Sequence, residues 1–252
     1  MPVDEINAEH SPDAIRARLQ AEPSQSYLRD FIYGAIDGAV TTFAVVASVA
    51  ATGLSSGVVI ILGVANLLAD GFSMAAGNFL GTRAEIQSRV RARRNEEMEI
   101  EAHPDGEREE IRQIFLAKGL EGDVLERVVE VITSDKKRWI DTMITEEHGL
   151  PLHNPSAWKA AGVTYLAFIV VGTIPLVTYL LEYVIPGTVA DPFGVAALLT
   201  GIAFFIVGTL KSRFVGSSWV AEGFETLSVG ALAAGIAYLI GLMLKPLVNG
   251  CV

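Results

Sequence analysis

The run from Gly57 to Leu80 is long and apolar enough to cross a membrane, yet it carries Asn66, Asp70, Met74 and Asn78 at four-residue intervals. On an α-helix that interval keeps all four in one slowly drifting stripe. A carboxylate near mid-bilayer costs about 2.5–3.5 kcal/mol on insertion scales, so an ionisable group held there is expected to face a bundle interior or a pathway. A carboxylate, two amides and a thioether on one face read as a route for a cation. The sulfur favours a transition metal, because it adds little for Mg²⁺ or Ca²⁺.

The other apolar runs follow the same pattern. Five are present, at about 31–52, 57–80, 161–184, 192–210 and 219–244, each near the roughly 20 residues needed to span hydrocarbon. The 51% hydrophobic content and 24 glycines fit a polytopic, all-α membrane protein. The net charge of −10 lies mostly outside these runs; it suits cations and weighs against nucleic acid. The one cysteine, Cys251, excludes a disulfide framework and a cysteine-based zinc site. Residues 1–26 are polar and acidic without an apolar core, so no cleavable signal peptide is expected, only a tail with a short helix around Asp13–Gln20.

Lys and Arg set the orientation. Arg83, Arg89, Arg91, Arg93 and Arg94 follow span 2, and Lys211 and Arg213 lie between spans 4 and 5. The loops between spans 1 and 2 and between spans 3 and 4 have neither residue type. The N-terminus, the insert between spans 2 and 3 and the 4–5 loop are therefore expected in the cytosol. The expected organisation is a tail over 1–26, spans 1 and 2 over 27–81, a cytosolic helical domain over 82–155, spans 3 to 5 over 156–246 and a tail over 247–252. Within the insert three helices are expected. The first continues span 2 through Ala102, the second runs about Glu107–Lys118 and the third about Asp123–His148.

Glutamates crowd the joint between the first two. Glu96 and Glu99 are three apart, as are Glu107 and Glu110, so each pair shares a helix face; Met143 and Glu147 share another. Carboxylates converging from three helices repel unless a cation or protons sit between them. Oxygen ligands with a thioether suit Fe²⁺ or Mn²⁺ and also admit Co²⁺ or Zn²⁺. The competing reading is a solvated helix end with glutamates paired to arginines. A ferritin-like di-iron enzyme loses most of its weight, because none of His103, His148 and His153 is preceded at three residues by glutamate.

Asp37 lies in span 1, about 9 Å in from its start. Span 2 runs the other way, which puts Met74 at a similar depth and Asp70 about a turn deeper. Gly34, Gly38, Gly71 and Gly77 would let the helices approach closely. The alternative for these polar groups is hydrogen-bonded helix glue, and for Met74 simple gap filling. Glu222 and Glu225 fit the dipole-favoured start of span 5.

Asp37-Gly38, the run from Ala65 to Ala75 and the glutamate-rich insert together resemble the vacuolar iron transporter family, over about Tyr27 to Pro246. The resemblance implies five transmembrane helices, a homodimer, a cytosolic metal-binding domain between helices 2 and 3, and export of Fe²⁺, often also Mn²⁺, against inward proton movement. By motif position, Asp37 and Met74 match the family's pathway residues. Glu96, Glu99, Glu107, Glu110 and Glu147 match its carboxylate ligands, and Met143 one of its methionines. Plant-type members carry glutamate at Asn66 and a small residue at Asp70, which suggests that Asp70 has taken over the intramembrane carboxylate role. Ile144 stands where the family has a second methionine.

The expected function is proton-coupled transport of a divalent transition metal out of the cytosol, with no enzymatic reaction. The expected location is the plasma (inner) membrane if the source is a prokaryote, and a vacuolar membrane or another endomembrane if it is a eukaryote. The alternative is a membrane-tethered metal buffer or sensor without transport.

Overall fold

A computed structural model describes residues 10–20 and 26–249, and among these the backbone forms ten α-helices and no strand. Helix α1 covers Pro12–Gln20, matching the expected tail helix; most of the remaining tail, and Cys251, lie outside the described residues.

Helix α2 spans Leu28–Thr52 and ends where Gly53 takes a left-handed φ of 80°. Only three residues then separate it from α3, Ser56–Ala102, so the two run antiparallel. With 47 residues, α3 is about 70 Å long, more than twice the hydrocarbon thickness of a bilayer. Its composition changes at Leu80: apolar before, charged after. No proline interrupts it, so one rigid rod joins the apolar bundle to the insert.

The insert continues with α4 at Pro104–Ala117, opened by a proline at its first turn, α5 at Gly122–Thr133 and α6 at Lys136–Glu146. The single third helix expected over Asp123–His148 is thus broken in two. Asp135 stops it by accepting a 2.7 Å bond from the Arg138 amide as an N-cap. Ile100, Ile111, Leu125, Val129, Trp139, Ile140, Met143 and Ile144 close a separate apolar core there.

Helix α7, Ala157–Gly172, and α8, Ile174–Val184, meet at a 49° bend. Pro175 lacks the donor that would continue the ladder, and the Thr173 hydroxyl bonds back to Ile169 O at 2.6 Å. Glu182 holds the following loop by accepting from Gly187 N and Val189 N. Helices α9, Pro192–Val215, and α10, Trp219–Asn249, complete the bundle. Four helices are long and apolar enough to cross a membrane, or five if the bent α7–α8 pair is one span.

The α2–α7 contact sets the architecture. A Cβ on Gly34 would lie 2.3 Å from Thr164 O, and one on Gly38 2.4 Å from Phe168 O. Both sides advance by four residues, so α2 and α7 are parallel and pack backbone to backbone. Gly71 meets side chains of Phe168 and Tyr165, but Gly77 has open space and plays no packing role. Since α2 and α7 are parallel and α3 is antiparallel, the insert leaves and re-enters at one end of the bundle. Ser156 N donates to Tyr27 Oη there at 3.2 Å.

Candidate functional site

The stripe on α3 lies at the edge of its packed face. Asn66, Asp70, Met74 and Asn78 are all half-buried, beside the buried Gly63, Leu67, Gly71 and Ala75. Opposite them, α2 presents Asp30, Tyr33 and Asp37. Asn78 Nδ2 donates to Asp30 Oδ1 at 2.8 Å and to Thr164 Oγ1 at 2.7 Å, tying α3 to α2 and α7. Tyr33 and Met74 line one cavity of about 570 Å³ together with Arg29, Asp30, Asn78 and Glu85. One turn further in, Asp37 and Asp70 are close enough for their charges to interact. Asp37 is thus coupled to Asp70, while Met74 shares its cavity with Tyr33. The Asn66 amide nitrogen is buried without a hydrogen-bond partner.

At the far end of α3 the glutamates divide into two groups. Glu97 pairs with Arg93, Glu101 with Lys136, Glu109 and Glu126 with Arg112, and Glu146 with Lys118. These answer to the solvated-surface reading. Lysine holds the Glu101 carboxyl below its usual range, and hydrogen bonds from Gln113 and Arg112 do the same for Glu109. Among the described residues no lysine or arginine pairs with Glu96, Glu99, Glu107, Glu110 or Glu147. They face one another instead.

Burial, followed by the charges of Glu110, Glu96, Glu99 and Glu147, pushes Glu107 up to about 7. Glu110 is raised by burial and by Glu147 and Glu99. Glu96, only 1% exposed, is raised mainly by burial, which outweighs its hydrogen bond to His148. One oxygen each of Glu96 and Glu107 is buried without a partner. Met143 is fully buried in the apolar core of the insert. The five glutamates, from α3, α4 and the residue after α6, thus lie within reach of one another's charges.

The sequence reading passed over His148. Its Nε2 lies 2.8 Å from Glu96 Oε1, and Glu96, Glu147 and His148 offer ligand atoms all within 4.8 Å of one another. The signal was present. Met143 and Ile144 are both core residues, so the positions four later, Glu147 and His148, both overlie that core.

Glu222 is also more than a helix start. It is buried against the bundle and paired with Lys211 at 2.7 Å, closing α9 onto α10, while Glu225 stays exposed 3.4 Å from the same lysine.

Residues 28–242 match the family model described as the VIT family. The chain is 31% identical to vacuolar iron transporter 1 of Arabidopsis thaliana over 86% of each chain. It is 32% identical to vacuolar iron transporter 1 of Tulipa gesneriana over 84% of each. A third relative, the vacuolar iron transporter of Plasmodium berghei (strain Anka), is 30% identical over 88% of this chain and 83% of its own length.

Proposed function

The chain belongs to the VIT family, a family of transporters rather than enzymes, and on that premise we propose that it exports a divalent transition metal from the cytosol in exchange for protons. Fe²⁺ is the leading substrate, because the relatives are named iron transporters. Mn²⁺ has nearly the same size and ligand preferences and is carried as well.

One observation supports this reading above the others: a single unbroken helix bears both carboxylate groups. Its polar end contributes Glu96 and Glu99 to a cluster without lysine or arginine partners among the described residues, and its apolar half brings Asp70 within reach of the charge of Asp37. The cluster, with Glu107, Glu110 and Glu147 beside the buried Met143, concentrates the ion. The ion then passes the cavity at Met74 and reaches the Asp37–Asp70 pair, with Asn66 deeper on the same stripe. Two carboxylates facing each other in low dielectric favour one proton or one cation between them. A site that holds either, but not both, exchanges one for the other.

The Lys and Arg bias puts the N-terminus, the insert and the α9–α10 loop in the cytosol. The apolar half of α3 leaves Ile61, Leu68 and Phe72 exposed, a face suited to a second copy of the chain. The working unit is accordingly a homodimer in the lipid bilayer.

The test is flux into proteoliposomes with Fe²⁺ or Mn²⁺ under an imposed pH gradient, acid on the side to which metal is delivered. Uptake accelerated by the gradient and abolished by Asp37→Ala supports exchange; gradient-independent uptake leaves a facilitated carrier. Because the cluster stands apart from the spans, a metal buffer without transport is the second reading. In that case Asp37→Ala leaves metal binding intact and no flux exists to lose.

A further inference from the structure

The carboxylates alone do not explain selection. Four or five glutamate oxygens suit Mg²⁺ and Ca²⁺ as well as they suit Mn²⁺. The one sulfur, on Met143, is packed in the core with no exposed surface. A group that distinguishes transition metals from abundant hard cations has to come from elsewhere on the rim. The only nitrogen ligand in contact with the cluster among the described residues is the imidazole of His148.

Its position is built rather than incidental. Helix α6 ends at Glu146, and both Glu147 N and His148 N donate to Met143 O, at 2.9 and 3.3 Å. This widens the last turn. Gly149 then takes a φ of +63°, and Leu150 N returns to Ile144 O at 2.9 Å. A left-handed glycine directly after His148 closes the helix end and holds the imidazole against Glu96. The bond to Glu96 crosses from the turn after α6 to α3, so the imidazole belongs to the same assembly as the carboxylates.

The spacing fits shared ligation. Two adjacent ligands at about 2.1 Å from an ion, at right angles, lie about 3 Å apart. His148 Nε2 and Glu96 Oε1 are 2.8 Å apart, and Glu147 completes a three-ligand face within 4.8 Å. Independently of this trio, Glu107 is 7% exposed, its Oε2 has no partner, and the charges it feels are those of Glu110, Glu96, Glu99 and Glu147. A buried carboxylate oxygen without a partner, turned towards other carboxylates, calls for a cation.

We propose that His148 is a metal ligand, binding through Nε2 beside Glu96 and Glu147, and that it sets the preference of the cluster for borderline transition metals over Mg²⁺ and Ca²⁺. The proposal rests on the reading of the cluster as a cation site. Imidazole nitrogen suits Fe²⁺, Co²⁺, Ni²⁺ and Zn²⁺, whereas Mg²⁺ and Ca²⁺ prefer oxygen alone. His148 thereby supplies what the enclosed methionine and the isoleucine at 144 do not.

The experiment uses the full chain in detergent micelles and three probes: Mn²⁺ for pulsed EPR, then Co²⁺ and Ca²⁺ for affinity. Bound Mn²⁺ is expected to show directly coupled ¹⁴N, lost in both His148→Gln and His148→Ala. Co²⁺ affinity is expected to fall about tenfold or more in both variants, with Ca²⁺ affinity changed less than about twofold. Glutamine retains a hydrogen-bond donor for Glu96, so its failure to rescue separates ligation from positioning. Mn²⁺ bound without ¹⁴N coupling, or full rescue by glutamine, overturns the ligand role and leaves the carboxylate site standing. No Mn²⁺ bound by the wild type overturns both. The wild-type spectrum needs no variant to fold.

Discussion

Asn78 donates to Asp30 Oδ1 across 48 residues of chain and to Thr164 Oγ1 across 86, so one side-chain amide joins α2, α3 and α7. Thr82 in turn donates to Asn78 Oδ1 at 3.2 Å. This knot sits where the bundle meets the insert and sets which residues of α2 and α3 stand at one level. Asn78→Ala removes both donors and leaves the half-buried Asp30 carboxylate short of a partner. A loss of about 1–3 kcal/mol is expected, read as a lower melting temperature of the protein in detergent. Unchanged melting would mean that the register is held by packing alone.

Asp37 and Asp70 make a sharper test of transport. Asp70→Asn keeps the volume and polarity of the side chain and removes its charge. If the pair is the exchange site, flux falls by at least about tenfold, equivalent to about 1.4 kcal/mol in the barrier. Metal binding by the cluster should stay the same, because about seven helical turns of α3 separate Asp70 from Glu96. Full transport by Asp70→Asn would sink the idea that this aspartate carries the intramembrane charge.

Most of the architecture was legible because apolar runs and helix breakers are local signals. The long helices under the apolar runs, the continuation of α3 past Leu80 and the turn at His103-Pro104 follow from composition and stereochemistry. The break at Ser134 was missed because Asp135 reads as an ordinary surface residue until its carboxylate is seen capping α6. The neighbours of Asp37 were harder to read. Register between two apolar helices depends on which small residues meet, and Gly34 and Gly38 pack on α7 rather than on α3. The division of the glutamates into paired and unpaired groups also required tertiary contacts: Lys136 and Lys118 reach their partners across 35 and 28 residues.

The glycines give a contrast within one bundle. A Cβ at position 38 would stand 2.4 Å from Phe168 O, a backbone atom that cannot swing aside. Gly38→Ala therefore pushes α2 from α7 and is expected to cost about 1–3 kcal/mol. Gly77→Ala meets nothing within 4 Å and improves helix propensity, so the chain should melt at or slightly above the wild-type temperature. Equal melting of the two variants would remove the backbone contact as the organiser of the fold.

The pH response of the insert is expected to change when metal binds. Glu107 is raised to about 7, with Glu96 and Glu110 raised in the same sense. The folded state then holds more protons than the unfolded chain between about pH 4.5 and 7, and stability falls as pH rises through that window. His148, raised by its bond to Glu96, adds stability that is present below its unfolded value and lost as pH rises through its folded one. Glu101, Glu109 and Glu126 are depressed, and their contribution is lost only as the pH drops below the ordinary carboxylate range. Metal-free protein is therefore expected to be most stable near about pH 5 and to melt lower at pH 7.5. A bound cation favours the ionised carboxylates, so the gain in melting temperature on adding Mn²⁺ should grow from pH 5.5 to 7.5. Glu107→Gln should flatten the metal-free slope and shrink that gain. Melting curves with EDTA and with Mn²⁺ across this range check both, and a gain from Mn²⁺ that is the same at every pH would show that the ion does not bind at these carboxylates.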